Sequence, residues 1–335
     1  MDREQRLIQW VGKQGALGDG GLVPVSGDAS FRRYFRLLTQ QGSRIVMDAP
    51  PEHEDCRPFV QMAQRLQQAG VNVPEVLAWD QANGFMMLTD FGDRSYLEAF
   101  KEAQDSQRIS ALMADAFAML LRVQCMAPVP DAPRYDRTLL QREVDLFPVW
   151  YVQGHLEYAW SADDQAMWQR TVLDTLLPAV ERQPVVWVHR DYHSRNLMVT
   201  DPNPGVLDFQ DALMGPVTYD AVSLLKDAYF VWEEEQRLDW LVRYWEKARH
   251  ARIPVASDFG VFYRDFEWMG VQRHLKVIGI FARLARRDGK PGYLQDIPRV
   301  ADYLLETCRR YRELQPLALW LEQCWAREQQ IGYTF

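Results

Sequence analysis

The stretch His189-Arg190-Asp191-Tyr192-His193-Ser194-Arg195-Asn196, followed by Val206-Leu207-Asp208-Phe209-Gln210-Asp211, decides how this chain is read. The first run spells H-R-D-x-x-x-x-N, and the second sets a carboxylate at the end of a short apolar run. Four fixed positions arise by chance in a chain of this size only about 0.2% of the time. The flanks fit as well. Val185-Val186-Trp187-Val188 is a β-type run into the loop and Leu197-Met198-Val199 leads out. Asp201-Pro202-Asn203-Pro204-Gly205 is a turn, and Val206-Leu207 returns. That order predicts a hairpin with Asn196 and Asp208 at the same end. A plain polar loop would use Asp191 and Asn196 as turn formers. The spacing instead points to chemistry. Asp191 can accept a proton from an attacking hydroxyl, and Asn196 with Asp208 can hold magnesium against nucleotide phosphates. Magnesium takes hard oxygen ligands and keeps several waters, so few protein ligands are enough.

Bulk properties bound the rest. A chain of 335 residues, 47% apolar and 25% charged, is globular and has room for two lobes. A net charge of −8 argues against a nucleic-acid partner, while magnesium and a few local cations can still balance a nucleotide. Cys56, Cys125, Cys308 and Cys324 are scattered without metal-like pairing, as expected of thiols in a reducing cytoplasm. Residues 1–6 lack the pattern of a signal peptide, and no apolar run approaches a membrane span. The expectation is a cytoplasmic chain with no membrane partner. Nothing calls for an oligomer, so a monomer is expected.

Up to about residue 90 the pattern is of short strands: residues 21–25, 31–38, 44–47, 74–79 and 84–88. One helix, over residues 56–69, interrupts them, with Phe59, Met62, Ala63 and Leu66 on one face and Gly70 as its stop. From Ser95 onward helical periodicity dominates, over residues 109–126, 163–180, 219–230, 237–250 and 259–287. The fold class is therefore α+β. A small β-rich N-terminal lobe spans residues 1–92, a larger mainly helical lobe spans residues 93–335, and the two join near residues 89–93.

The join holds a decoy. Asp90-Phe91-Gly92 spells the D-F-G of protein kinases, but there the metal carboxylate follows the catalytic loop, so Asp208 suits that role and Asp90 does not. Thr89, Asp90 and Phe91 are better read as a hinge whose backbone groups can bond adenine. A plain turn explains their side chains equally well. Upstream, Ser26-Gly27-Asp28-Ala29-Ser30 joins two strands, and its backbone N–H groups can face phosphate, with Ser26, Gly27 and Ser30 as contacts. The third strand offers Met47-Asp48 where a phosphate-binding Lys is usual. Arg32, Arg33 or Arg44 can supply that charge, and Arg32, beside the turn, joins the nucleotide-binding set.

With these residues in hand, the chain resembles the aminoglycoside phosphotransferase family over nearly its whole length. The resemblance rests on the hinge, on His189–Asn196, on Asp208 and on Gly215-Pro216-Val217-Thr218-Tyr219-Asp220. It implies a bilobal protein-kinase-like fold, ATP and Mg2+ as cofactors, and an Asp220 that braces the catalytic loop. Met47-Asp48-Ala49-Pro50-Pro51 and residues 272–284 are most similar to a branch acting on amino sugars of the bacterial cell wall. That implies ATP-dependent phosphorylation of the C1 hydroxyl of N-acetylmuramate or N-acetylglucosamine to an α-1-phosphate, in peptidoglycan recycling.

In that family the region of residues 259–287 lines the acceptor pocket. Here it carries Trp268, Gln272, Arg273, His274 and Lys276, a cationic set suited to a carboxylate-bearing sugar, with Trp268 able to cover a sugar face. His193 joins these as a substrate contact. Arg195 is placed with Asp191 in catalysis, since a cation near the transferred phosphoryl stabilises its oxygens. A kinase of another small alcohol, such as an aminoglycoside, choline or homoserine, stands as one alternative, and a nucleotide-binding pseudokinase scaffold as another.

Overall fold

A computed structural model describes residues 2–15, 21–25, 31–40, 42–103 and 105–332, with side chains to residue 326. Along the chain run α1 (Arg3–Lys13), β1 (Leu22–Pro24), β2 (Arg33–Thr39), β3 (Gly42–Asp48) and α2 (Arg57–Gln68). Then come β4 (Val76–Asp80), β5 (Phe85–Thr89), α3 (Tyr96–Glu102), α4 (Ser106–Gln124), α5 (Arg137–Val144), α6 (Ala162–Trp168) and α7 (Leu177–Glu181). Next are β6 (Val185–Val188), β7 (Leu197–Met198), β8 (Gly205–Val206), β9 (Leu213–Pro216) and α8 (Tyr219–Leu225). The last four helices are α9 (Glu234–His250), α10 (Phe259–Arg287), α11 (Ile297–Arg310) and α12 (Gln315–Gly332). The fold is α+β, a small antiparallel sheet followed by a mostly helical remainder.

Two compact units emerge. One holds residues 1–122 and 195–212, the other residues 123–194 and 213–335. In the first, an antiparallel sheet has the order β1-β2-β3-β5-β4. Helix α1 has no counterpart among the helices expected above. Asp2 and Gln5 form a capping box at its start, and Leu7 and Val11 pack with Leu37, Val46, Phe85 and Met87. Helix α2 buries Phe59, Met62, Ala63 and Leu66, as its spacing predicts. It ends through Gly70 at φ +74°, with Val71 N–H donating to the Leu66 carbonyl (2.9 Å).

The second unit is organised about α10, whose ends match the expected 259–287. At about 1.5 Å per residue it is some 43 Å long. From Phe266 to Gly279 it is buried on all sides, polar residues included. A Cβ on Gly279 would lie 2.5 Å from the Leu146 backbone, so that crossing requires glycine. The expected helix over residues 163–180 is continuous but π-helical between Gln169 and Leu176, and that over residues 219–230 stops at Leu225. Strand β9, also unforeseen, pairs antiparallel with β6, Val188 opposite Leu213.

Candidate active site

The loop after β6 is positioned by carboxylates distant in sequence. Val186, Trp187 and Val188 are buried, which anchors its start. The N–H groups of His189 and Arg190 both donate to the Asp220 carboxylate (2.7 and 3.0 Å) in the first turn of α8. Asp220 is fully buried, and burial pushes its carboxyl up to about 6 despite nearby His189 and those two donors. Arg190 takes φ +79°, a left-handed conformation that a side-chain-bearing residue holds only when its surroundings compel it. Farther along, Asp227 accepts from the N–H of Ser194 (2.9 Å) and of Tyr229 (2.8 Å). The Tyr229 ring lies 5.3 Å from that of His193.

Asp191 is partly buried inside this frame. Burial opposes its ionisation, but Lys276, His193, Arg273 and His189 outweigh it and hold its carboxyl below the usual range. It therefore carries a negative charge at neutral pH. Lys276 is itself paired, 3.2 Å from Glu143 and donating to the Tyr219 hydroxyl (2.9 Å). Burial works against its ammonium, yet Tyr219, Glu143 and Asp191 carry its pKa above the ordinary value. Glu143 also accepts from Arg190 (2.6 Å) and from the Tyr135 hydroxyl. Gln272 donates to the same Tyr135 hydroxyl (3.1 Å). Nothing near Glu143 in the sequence marks it, nor Asp227, as part of this frame; both are recognisable only from their partners.

In the first unit, Leu197 pairs with Val206 and Met198 with Gly205. This short hairpin sets the Asn196 amide 3.4 Å from the Asp208 carboxylate, as the strand and turn pattern predicts. Leu207 N–H donates to the Asn196 carbonyl (2.9 Å), and Gln210 steadies the other Asp208 oxygen (2.7 Å). Asp208 has φ +61°, and the next residue, Phe209, is buried against Phe59 of α2. The contact is the Asn196 Nδ2–H donating to an Asp208 oxygen, and a side-chain amide beside a carboxylate is a pair of the kind that could hold magnesium through their oxygens. Among the described residues no group of three His, Cys, Asp or Glu forms a closed metal site.

Arg195 is exposed. Ser26, Gly27 and Ser30 lie outside the described residues. Arg32 pairs with Glu54 through both Nε (3.2 Å) and Nη2 (3.1 Å). Arg33 is committed to Asp48, which is buried and also holds Arg3, while Arg44 donates to the Ser43 carbonyl. The side chain of Thr89 accepts from Glu75 N–H (2.9 Å). That of Asp90 binds Arg36 at 2.6 and 3.1 Å and caps Gly92 N–H, a clamp between β2 and the end of β5. Phe91 packs so closely on Gly205 that a Cβ there would meet its ring at 2.5 Å. Trp268 sits edge-on to Tyr311 with Arg264 over its face, beside a groove of about 410 Å³ that Asp174 and Arg182 also line. His274 is buried and stacked on Tyr303.

Residues 21–255 match the profile of the phosphotransferase enzyme family. A protein of Neisseria meningitidis named N-acetylmuramate/N-acetylglucosamine kinase is 47% identical over 337 residues, covering all of both chains. One of the same name from Pseudomonas aeruginosa is 49% identical over 88% of this chain and 86% of its own. Among solved structures, an ADP-bound aminoglycoside phosphotransferase, APH(2'')-Ib, aligns with a TM-score of 0.60 at 15% identity, covering 90% of this chain and 98% of that one.

Proposed function

We propose, from the premise that this chain belongs to the phosphotransferase enzyme family, that it transfers the γ-phosphoryl of ATP to the C1 hydroxyl of N-acetylmuramate and N-acetylglucosamine. The product is the α-1-phosphate, and the setting is recycling of cell-wall sugars in the cytoplasm. The observation that carries the reading is the 3.4 Å contact with Asp208, after β8, of Asn196, which shares its loop with Asp191. Five residue steps keep Asp191 and Asn196 within about 18 Å of each other.

Residues 1–92 serve as the nucleotide lobe, with adenine on the backbone of residues 89–91, and residues 93–335 as the catalytic and acceptor lobe. Asn196 and Asp208 hold magnesium. When bound, the ion neutralises phosphate charge as a Lewis acid. Asp191, kept ionised by the cations around it, orients the sugar hydroxyl and accepts its proton as the oxygen attacks phosphorus in line. Arg195 offers positive charge to the transferred group. On the acceptor side stand His193, Trp268, Gln272, Arg273, His274 and Lys276.

An ADP-release assay with the two sugars and their C1-blocked methyl glycosides tests this. Release is expected with the free sugars and not with the blocked ones; equal rates would remove C1 as the acceptor. In the same assay Asp191→Asn should lose about 10²- to 10⁴-fold in kcat at saturating sugar. Near-normal turnover would reject Asp191 as the base.

A further inference from the structure

Most buried cations of the second unit have a protein counter-charge. Lys226 is 3.1 Å from Glu267, Lys276 is 3.2 Å from Glu143, and Arg190 donates to Glu143 at 2.6 Å. Arg273 differs. It is 3% exposed, its Nε and Nη1 have no hydrogen-bond partner, and among the described residues no carboxylate lies within ion-pair distance of it. Arg237 also has bare nitrogens, but its guanidinium lies over the Tyr303 ring and reaches Glu306. A guanidinium does not lose its proton in a protein. A permanent charge held out of water with open N–H groups calls for an anion from elsewhere.

Two sources of that anion are a nucleotide phosphate and a carboxylate on the acceptor. The chain favours the acceptor. Arg273 lies on α10 one turn before Lys276, whose partner Glu143 also holds Arg190, the neighbour of Asp191. Its field falls on Asp191 and His193, the residues facing the acceptor in the proposed mechanism. The two sugars in the relatives' names differ in the relevant group: N-acetylmuramate carries a lactyl carboxylate, and N-acetylglucosamine has none.

We infer that Arg273 is the specificity-determining residue for the acid-bearing sugar, its open guanidinium edge taking the lactyl carboxylate of N-acetylmuramate. The inference rests on the sugar-kinase reading above. A charge-assisted pair of this kind is worth roughly 10- to 150-fold in affinity.

The test is ADP release with both sugars by wild type, Arg273→Gln and Arg273→Lys. The ratio of kcat/KM for N-acetylmuramate over that for N-acetylglucosamine should fall by roughly 10- to 150-fold in R273Q, with partial recovery in R273K. The wild type with the methyl ester of N-acetylmuramate makes the same deletion from the substrate side, and should show a loss of similar size whether or not the variants fold. An unchanged ratio in a folded variant, or equal use of acid and ester by wild type, overturns the inference. So does a loss confined to the KM for ATP, which would assign Arg273 to phosphate. Absence of ADP release with either sugar would instead sink the underlying reading.

Discussion

Asp220 accepts two backbone N–H bonds from His189 and Arg190 while fully buried, so the start of the loop after β6 depends on one carboxylate. Burial raises its pKa to about 6, above the ordinary 3.8. An acid whose pKa is higher in the fold binds its proton more tightly there. Its contribution to stability is therefore greatest below about pH 4, is lost as pH climbs to about 6, and is constant beyond. The size is on the order of 3 kcal/mol. Asp220→Asn should flatten that limb of a denaturation series between pH 4 and 7. An unaltered slope would mean that another group titrates. At the same scale, the sequence motif marks Asp191 as an acid or base, and its pKa is held below the usual range by Lys276 first, then by His193 and His189 of the same loop and by Arg273; Lys276 and Arg273 lie more than 80 positions away. No local pattern reveals that pairing.

Helix α10 is the element on which the second unit is assembled, and its length was legible because apolar residues recur along it with helical spacing. What spacing does not show is that Glu267, Gln272, Arg273, His274 and Lys276 are buried as well. The burial of Lys276 is offset by Glu143 of α5 and Tyr219 of α8, and that of Gln272 by the hydroxyl of Tyr135, just before α5. Gly279 gives this packing a test. Gly→Ala in a helix ordinarily gains up to about 1 kcal/mol. Here the added methyl meets the Leu146 backbone at 2.5 Å, and overpacking costs about 1–3 kcal/mol. Gly279→Ala should therefore destabilise in chemical denaturation; a more stable variant would show that the crossing has room. Helix α1 was missed from sequence because its apolar face is narrow, Leu7 and Val11 with Trp10 beside them. Its Asp2 to Gln5 capping box was the available signal.

For the whole molecule, the two compact units are both discontinuous in sequence, and the loop of residues 189–196 is divided between them after Ser194. Asp191 belongs to one and Asn196 with Asp208 to the other. Magnesium with a non-hydrolysable ATP analogue at about a hundred times its Kd should stabilise wild type by about 2.7 kcal/mol, seen as a rise in Tm. EDTA or Asp208→Ala should remove most of that rise; a full rise in D208A would reject the metal assignment. No described helix is long and apolar enough to cross a membrane, and no disulfide joins the four cysteines.

Read by itself, the amino-acid order determined the strand, loop and hairpin that bring Asn196 to Asp208, the glycine stop of α2 and the extent of α10. Each follows from turn chemistry or periodicity within some twenty residues, which neighbouring side chains and backbone sterics decide. Only the tertiary structure decided that Asp220 and Asp227 brace the loop and that Arg32, Arg33 and Arg36 answer to Glu54, Asp48 and Asp90. The same holds for Arg273, whose Nε and Nη1 are buried without a hydrogen-bond partner among the described residues. Ion pairing and desolvation act through space, between groups that the chain keeps far apart until it folds.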